Sequence, residues 1–448
     1  MATKASTPKG MRDFSPSIMF RRNYILTVVK SAFQKYGFSP IETPAMEKLE
    51  TLTGKYGEEG DRLIFKILNS GDFFNKVDQS KQLDANSLTA QISEKALRYD
   101  LTVPFARYVV ENRNEIMFPF KRYQMQNVWR ADRPQKGRFR EFLQCDADVI
   151  GTDSLLSEIE LIQLSDEIFK SLNISDIVIC INNRKVLLGM VEVMNEQDKF
   201  NDIVIAIDKL DKIGIDGVKK EMNLKGVSDN AINIFNQFIE VRELSRLTEL
   251  FESSIIGKQG VEELLYVTEN INGLGMNSSE LKFDISLARG IDYYTGCILE
   301  VKQNDINVGS IAGGGRYDDL TSVFGLENVS GVGISFGIDR IYMLMEEKDC
   351  FPEDIDKDVQ VLILNFGQDE AIYSLNVVKT LRENNISCEL YPDQDKIKKQ
   401  MNYANKKNAT FVIMIGEDEM RDGNISVKDM LSGKQRVITI DEFIKEIA

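Results

Sequence analysis

Two arginines stand where a polyanion could be gripped. Arg130 closes a run, 120–130, whose alternating residues predict a β-strand, and Arg340 falls in the first turn of a predicted helix that follows the glycine-rich strand 331–336. A guanidinium fixed at a strand end or helix start holds phosphate oxygens in pairs, and a helix N-terminus adds a favourable dipole. There is no G-x-x-x-x-G-K-[ST] loop and no convincing G-x-G-x-x-G, so a bound nucleotide would rest on such side chains. Taken singly, either arginine is better explained as a structural ion pair or an exposed charge. Two further motifs carry chemistry-bearing residues: RGIDYYTG at 289–296, with Arg289, Tyr293 and Tyr294, and AGGGRYDDL at 312–320, with Tyr317.

The chain contains no histidine. That removes Ser-His-Asp and Cys-His nucleophile machinery, H-E-x-x-H zinc sites and H-R-D kinase loops. What remains is chemistry done by Arg, carboxylates, Tyr, Gln and bound metal. The five cysteines are odd in number, far apart and free of any C-x-x-C pairing, which argues for reduced, mostly buried thiols.

The elements that must position these residues can be read from periodicity. A helix over 17–36 has Ser15 as N-cap, Pro16 at its first position and Gly37 as its stop. The proline-bracketed piece 38–44 reads as an edge strand. Strands over 120–130 and 139–150 are joined by a turn containing Pro134 and Gly137. In the second strand, period two puts Leu143, Cys145, Ala147 and Val149 on one face and Arg140, Phe142, Gln144, Asp146 and Asp148 on the other. A face mixing an aromatic with an amide and carboxylates reads as the floor of a polar pocket. Residues 184–277 are helical, charged and poor in recognisable chemistry, as an inserted domain would be. After the acidic stretch 353–358, which reads as a linker, strand and helix patterns alternate, predicting a separate α/β domain with a parallel or mixed sheet.

A length of 448 residues predicts two or three domains, and 43% hydrophobic with 28% charged residues describes a soluble globular protein. No segment approaches the roughly 20 apolar residues that cross a bilayer, so a cytoplasmic location without membrane contact is expected. The net charge of −15 counts against nucleic acid as a partner. Against that sum, Lys121, Arg122, Arg130, Arg133, Lys136, Arg138 and Arg140 cluster with Asp132 as the one acid among them, and predict a local basic patch.

The motifs together carry a resemblance. VWRADRPQKGRFREFLQCDAD (128–148) resembles motif 2 of class II aminoacyl-tRNA synthetases in the form of the histidyl-tRNA synthetase family, and GISFGIDRI (333–341) resembles motif 3. The first helix with Pro44 resembles motif 1. RGIDYYTG and GGGRYDDL resemble the two histidine-specific motifs, and PKGMRDFSP and LRYDLTVPFARY also match, so the resemblance spans the chain in the family's order.

The resemblance implies an α+β class II catalytic domain, an antiparallel sheet flanked by helices, in two parts at 1–183 and 278–350. A helical insertion at 184–277 and a C-terminal α/β anticodon-binding domain at 358–448 complete it. It also implies a homodimer whose partners are ATP with Mg2+, L-histidine and the tRNA for histidine. Carried over position by position, Arg130 contacts the α-phosphate, Phe142 stacks on adenine opposite Arg340, and Asp132 stands where the family usually has Glu beside the adenine amino group. Asp100, Thr102 and Gln144 hold the ammonium group of the amino acid. Arg289 binds on the carboxylate and α-phosphate side. Asp148 and Tyr294 meet the imidazole nitrogens, with Tyr293 and Tyr317 lining the pocket. Arg133, Gln135 and Lys136 on the hairpin turn face the tRNA acceptor end. No protein side chain is assigned to a metal. The rival is a histidine-sensing, synthetase-like regulatory subunit of ATP phosphoribosyltransferase, disfavoured because Arg130, Arg289, Arg340 and the α/β tail are all present. In a chain without imidazole, the ring of a histidine substrate is the only group besides the chain's own α-amine whose unperturbed pKa lies near neutrality.

Overall fold

The computed structural model describes residues 5–55, 57–75, 77–78, 84–290, 293–306, 308–353, 355 and 359–447. The two long alternating runs form β2 (Phe120–Trp129) and β3 (Glu141–Ile150), after the short β1 (Ser39–Pro40). Strands β2 and β3 pair antiparallel from Phe120 opposite Ile150 to Trp129 opposite Glu141, and Gly137 takes a φ of 72° in the turn between them. The sheet continues with β4 (Ile177–Asn183), β5 (Ser279–Phe283), β6 (Cys297–Gln303), β7 (Ala312–Tyr317) and β8 (Gly331–Gly337). Its order is β1-β2-β3-β8-β7-β6-β4-β5. The middle is antiparallel, as expected, but both edges add a parallel pair, β1 on β2 and β4 on β5. Parallel neighbours need a long crossover, and the helices between Arg184 and Leu274 supply it for β4 and β5.

One face of the sheet is closed by aromatic packing. Phe33, from the helix Pro16–Lys35, lies 5.4 Å from Tyr123 of β2 and 6.0 Å from Phe336 of β8 between ring centres. Phe169, from the helix Leu156–Ser171, reaches Phe336 from the other side at 6.1 Å. Cys145, Ala147 and Val149 of β3 are buried, and their alternation leaves Gln144, Asp146 and Asp148 for the opposite face. The first helix begins at Pro16, with Ser15 Oγ accepting the Ile18 N–H at 3.5 Å, and Gly37 at φ 78° follows its end. The edge strand is shorter than the sequence suggested, because β1 finds sheet partners at Ser39 and Pro40 alone.

By compactness the chain falls into two units, 1–13 with 22–350 and 14–21 with 351–448. Six α-helices between Arg184 and Leu274 lie inside the first unit. The chain returns from them to the sheet through Asp166, whose carboxylate accepts the N–H groups of Asn277, Ser278 and Ser279 at 2.6–2.9 Å. The second unit carries a five-stranded sheet ordered β10-β9-β11-β12-β13, where β9 is Val361–Ile363, β10 Cys388–Leu390, β11 Phe411–Met414, β12 Ile425–Asp429 and β13 Gln435–Ile438. It is mixed: β9 runs parallel to both neighbours, while β11, β12 and β13 are antiparallel. Val361, Ile363, Leu381, Ile413, Val427 and Phe443 form its core. The linker read at 353–358 lies largely outside the described residues.

Gly314 tests this architecture. A Cβ there would lie 2.1 Å from the Gly333 carbonyl oxygen and 2.7 Å from Ile334 Cα, both backbone atoms that cannot rotate away. Gly314→Ala is expected to lower stability by about 3 kcal/mol through overpacking, read as a reduced Tm in thermal unfolding. An unchanged Tm would contradict the β7–β8 spacing.

Candidate active site

The open face of the sheet floors a cleft of about 620 Å³. Its deep end is set by the pairing of β3 with β2 and β8: Asp148 sits opposite Arg122 and Gly333, Asp146 opposite Gln124 and Ser335. Gly333 is glycine for a reason of space, since a Cβ there would lie 2.0 Å from Asp148 Oδ1. Asp148 Oδ2 pairs with Arg122 Nη2 at 2.9 Å, and Asp148 Oδ1 accepts the Tyr317 hydroxyl at 2.6 Å. Arg122 is fully buried, its guanidinium 4.3 Å over the Phe105 ring. Its Nε and Nη1 find no hydrogen-bond partner among the described residues. Arg122 is therefore not part of an exposed basic patch, which corrects the sequence reading. Lys121 pairs with Glu160, Arg138 with Asp132 and exposed Lys136 with Glu347 at 3.9 Å, while Arg133 is exposed on the same turn.

Two buried oxygens on this floor have no hydrogen-bond partner among the described residues, Gln144 Oε1 and Asp146 Oδ1. Gln144 Nε2 is already used, donating to Ser335 Oγ at 2.8 Å. Burial pushes the Asp146 carboxyl up to about 7, with nearby Asp148 and Asp100 adding to the rise and Arg122 and Ser335 opposing it. Burial also raises Asp148, against the pull of Arg122. Tyr293 is pushed up to about 12 and Tyr294 well above its ordinary value, both chiefly by burial. Their hydroxyls are 3.4 Å apart, so both remain neutral hydrogen-bonding groups.

At the other end the cleft is cationic. Arg130 donates from Nε to the Tyr99 carbonyl at 3.0 Å and lies 4.3 Å over the Tyr99 ring and 5.3 Å from that of Phe142. Arg340 donates to the Ser310 carbonyl, and its pKa is lowered by burial and then by the charges of Arg289, Arg138 and Arg130. Arg340 thus stands among like charges, an arrangement that a polyanion would favour. Arg289 is held from the side, Nε to Glu300 Oε1 at 2.6 Å, and Lys302 takes Glu300 Oε2 at 2.7 Å. The start of the helix bearing Arg340 is fixed through Asp339, which accepts from Arg12, at 2.6 Å, and from Arg22. Asp100 Oδ1 accepts the Val103 N–H at 3.1 Å in the loop opening the helix Thr102–Glu111.

Of the residues selected from sequence, Asp100, Thr102, Arg130, Asp132, Gln135, Phe142, Gln144, Asp148, Arg289, Tyr293, Tyr294, Tyr317 and Arg340 line this one cleft. Arg133 and Lys136 are outside it, exposed on the hairpin turn. Sequence reasoning placed Asp146 on the pocket floor without giving it a role and passed over Ser335, Gly333, Asp339 and Lys212, which line the cleft too, and Glu300, which holds Arg289; Arg122, read as part of a basic patch, holds Asp148. For Asp146 a signal existed, since it shares a strand face with Gln144 and Asp148. Arg316, in contrast, is spent on Glu158, with two contacts of 2.6 Å.

Comparisons with known proteins agree with this geometry. Residues 10–341 match the family model described as histidyl-tRNA synthetase, and residues 358–448 match the anticodon binding domain. The chain is 54% identical to the histidine–tRNA ligase of Christiangramia forsetii over 97% of both chains, and 53% identical to that of Porphyromonas gingivalis over 98% of both. A crystal structure of the histidyl-tRNA synthetase of Nostoc sp. PCC 7120 superposes with a TM-score of 0.83 at 31% identity, covering both chains completely.

Asp146 gives this site a measurable signature. Its folded pKa lies above its ordinary value of 3.8, so the stability it contributes is complete below about pH 4 and is lost as pH rises through about 7. The groups facing it are Arg122 and Gln124 from β2, Asp148 from β3, Ser335 from β8, Asp100 and Tyr293. Asp146→Asn, neutral at every pH, is expected to melt several degrees above the unsubstituted protein at pH 8, the gain shrinking steadily toward pH 5. A gain that does not vary with pH would show that Asp146 does not titrate in this way.

Proposed function

The chain belongs to the histidyl-tRNA synthetase family, and on that premise we infer that it is a histidine–tRNA ligase whose cleft joins L-histidine to ATP and passes the product to tRNA. The reaction is ATP, L-histidine and tRNA giving AMP, diphosphate and L-histidyl-tRNA. The observation that carries the reading is one cleft with a cationic end and a buried acidic end. The first suits a nucleotide triphosphate, the second a small amino acid bearing N–H donors.

In the first step a histidine carboxylate oxygen attacks the α-phosphorus in line, a new oxygen–phosphorus bond forms and pyrophosphate leaves with the electrons of the broken bond. Little proton movement is needed, so positioning and neutralisation of charge supply the rate. We assign Arg130 to the α-phosphate, Arg289 to the carboxylate and α-phosphate side, and Arg340 to the terminal phosphates. Phe142 stacks on adenine with Asp132 beside its amino group. Asp100, Thr102 and Gln144 hold the ammonium group, and Asp148 and Tyr294 meet the imidazole nitrogens, with Tyr293 and Tyr317 lining the pocket. In the second step the terminal 3′-hydroxyl of tRNA attacks the adenylate carbonyl and AMP leaves. Arg133, Gln135 and Lys136 meet the acceptor end from the hairpin turn, and residues 358–448 read the anticodon.

Among the described residues no group of three or more His, Cys, Asp or Glu is placed to hold a metal ion. Mg2+ belongs to the reading as the companion of ATP. We further propose a cytoplasmic homodimer that pairs through the first helix and edge strand, with domains at 1–183, 184–277, 278–350 and 358–448. Among the described residues no helix is long and apolar enough to cross a membrane.

Pyrophosphate exchange into ATP, run with each of the twenty amino acids, tests the reading. Exchange is expected with L-histidine alone, and none with any amino acid would favour a histidine-sensing regulator. Glu300→Gln, which keeps the shape but not the charge that steadies Arg289, is expected to cut the exchange kcat about tenfold, as for loss of a preorganised contact worth roughly 1.4 kcal/mol. An unchanged kcat would remove Glu300 from the machinery.

A further inference from the structure

We propose that Lys212, carried by the helical segment 184–274, is a further phosphate-binding residue of the activation step, its ammonium group taking an oxygen of the ATP triphosphate on the Arg289 side of the cleft. The proposal rests on the ligase reading above and adds to it a contact from a part of the chain poor in recognisable chemistry. Lys212 lines the same cleft as Arg130, Arg289 and Arg340. It is exposed, and its ammonium group has no hydrogen-bond or ion-pair partner among the described residues. Most exposed lysines are solvated charges of little consequence. This one differs in being placed by its backbone.

The helix Leu210–Leu224 is broken after its first turn, where Gly214 takes φ 68° and ψ 171°. A Cβ at Gly214 would meet nothing within 4 Å, so glycine stands there for a backbone conformation that side chains disfavour and not for space. The turn before the break is closed by the Lys212 and Ile213 N–H groups, which donate to the Lys209 carbonyl at 2.8 and 3.0 Å. Ion pairs tie it at two points: Lys209 Nζ reaches Glu221 Oε2 at 2.8 Å, beyond the break, and Asp211 Oδ2 reaches Lys302 Nζ of β6 at 3.6 Å. Lys302 shares Glu300 with Arg289. The turn is therefore moored to the residue that steadies Arg289, and Lys212 follows the mooring point directly. Exposed pairs of this kind contribute little stability, so their effect is placement. A cation brought to a cleft that holds Arg289 and Arg340 adds a like charge, an arrangement that a triphosphate favours. Lysine suits the task, since a compact charge on a flexible stem can follow pyrophosphate as it leaves. The other phosphate source in the reaction is the end of the tRNA, and the residues assigned to it, Arg133 and Lys136, stand outside the cleft on the hairpin turn.

The test is histidine-dependent pyrophosphate exchange, which needs no tRNA, by Lys212→Gln, Lys212→Arg and Asp211→Asn, with the Tm measured alongside. For Lys212→Gln the expected result is a kcat/KM for ATP lowered about tenfold, a gap that narrows as salt is raised, with the histidine KM within about twofold of its starting value. Lys212→Arg, which keeps the charge, is expected to recover most of the loss. Asp211→Asn should show part of it, because Asp211 acts through the placement of Lys212. Single-turnover transfer from preformed histidyl-adenylate to tRNA should not change in Lys212→Gln. Exchange at the starting level in that variant overturns the proposal, and slowed transfer with normal exchange assigns the lysine to the tRNA end instead. A loss that Lys212→Arg does not recover, or an equal rise of both substrate KM values, would place the role in the packing of the turn and overturn the proposal equally. Full exchange by Asp211→Asn would overturn the mooring. Absence of histidine-dependent exchange in the unsubstituted protein would instead sink the ligase reading itself.

Discussion

A buried ion pair in the middle of the large sheet governs the site. Arg122 and Asp148 face each other across β2 and β3, and the pair is sealed by Phe105 and by the Tyr317 hydroxyl. Such a pair adds little net stability over an apolar substitute, yet it is costly to break, because either partner alone is an uncompensated buried charge. Its consequence here is one of register. With Asp148 drawn to Arg122 on one side and fitted over Gly333 on the other, β3 cannot slip against either neighbour, since a slip of one residue would turn the whole polar face into the aromatic layer of Phe33, Tyr123 and Phe336. The positions of Phe142, Gln144 and Asp146 follow from that fixed point along a single strand.

The cationic end is built on the opposite principle. Burial first, and then the nearby charges of Arg289, Arg138 and Arg130, lower the Arg340 pKa, so Arg340 stands among like charges. Neutral anchors keep two of these groups in place without cancelling their charge: the carbonyls of Tyr99 and Ser310 accept from Arg130 and Arg340. Arg138 and Arg289 are tied to acids instead, Arg138 to Asp132 and Arg289 to Glu300, which also holds Lys302, and Lys302 stands 3.6 Å from Asp211 of the helix Leu210–Leu224. That helix also places Lys212 at the cleft. A chain of alternating charges thus runs from the helical segment 184–274 to Arg289 in the cleft.

Much of this was legible in sequence because it rests on local rules. Period two exposed the polar face of β3, the Ser15–Pro16 start and the Gly37 stop delimited the first helix, and the motifs gathered residues far apart in the chain into one cleft. What escaped depends on partners across strands. Arg122 looked like one more cation of a basic run, and only the facing Asp148 shows it to be buried structure. Asp146 looked like a neighbour of assigned residues, and only its unpartnered Oδ1 sets it apart. Strands β12 and β13 and the last helix, Ile440–Ile447, were passed over because their signals are short and their ordering comes from packing on Val427, Ile438 and Phe443. The parallel edges of the large sheet arise from crossovers of about eighty residues or more, a distance at which pattern carries no pairing information.

The lack of histidine is sharpened by the structure in a way composition could not show. From sequence, the substrate ring and the chain's own α-amine are the groups with unperturbed pKa values near neutrality. The fold adds a third by placing a carboxyl where water is excluded and two other acids are near, which lifts Asp146 to about 7. Burial has given a chain without imidazole a titrating group in the range where imidazole usually works.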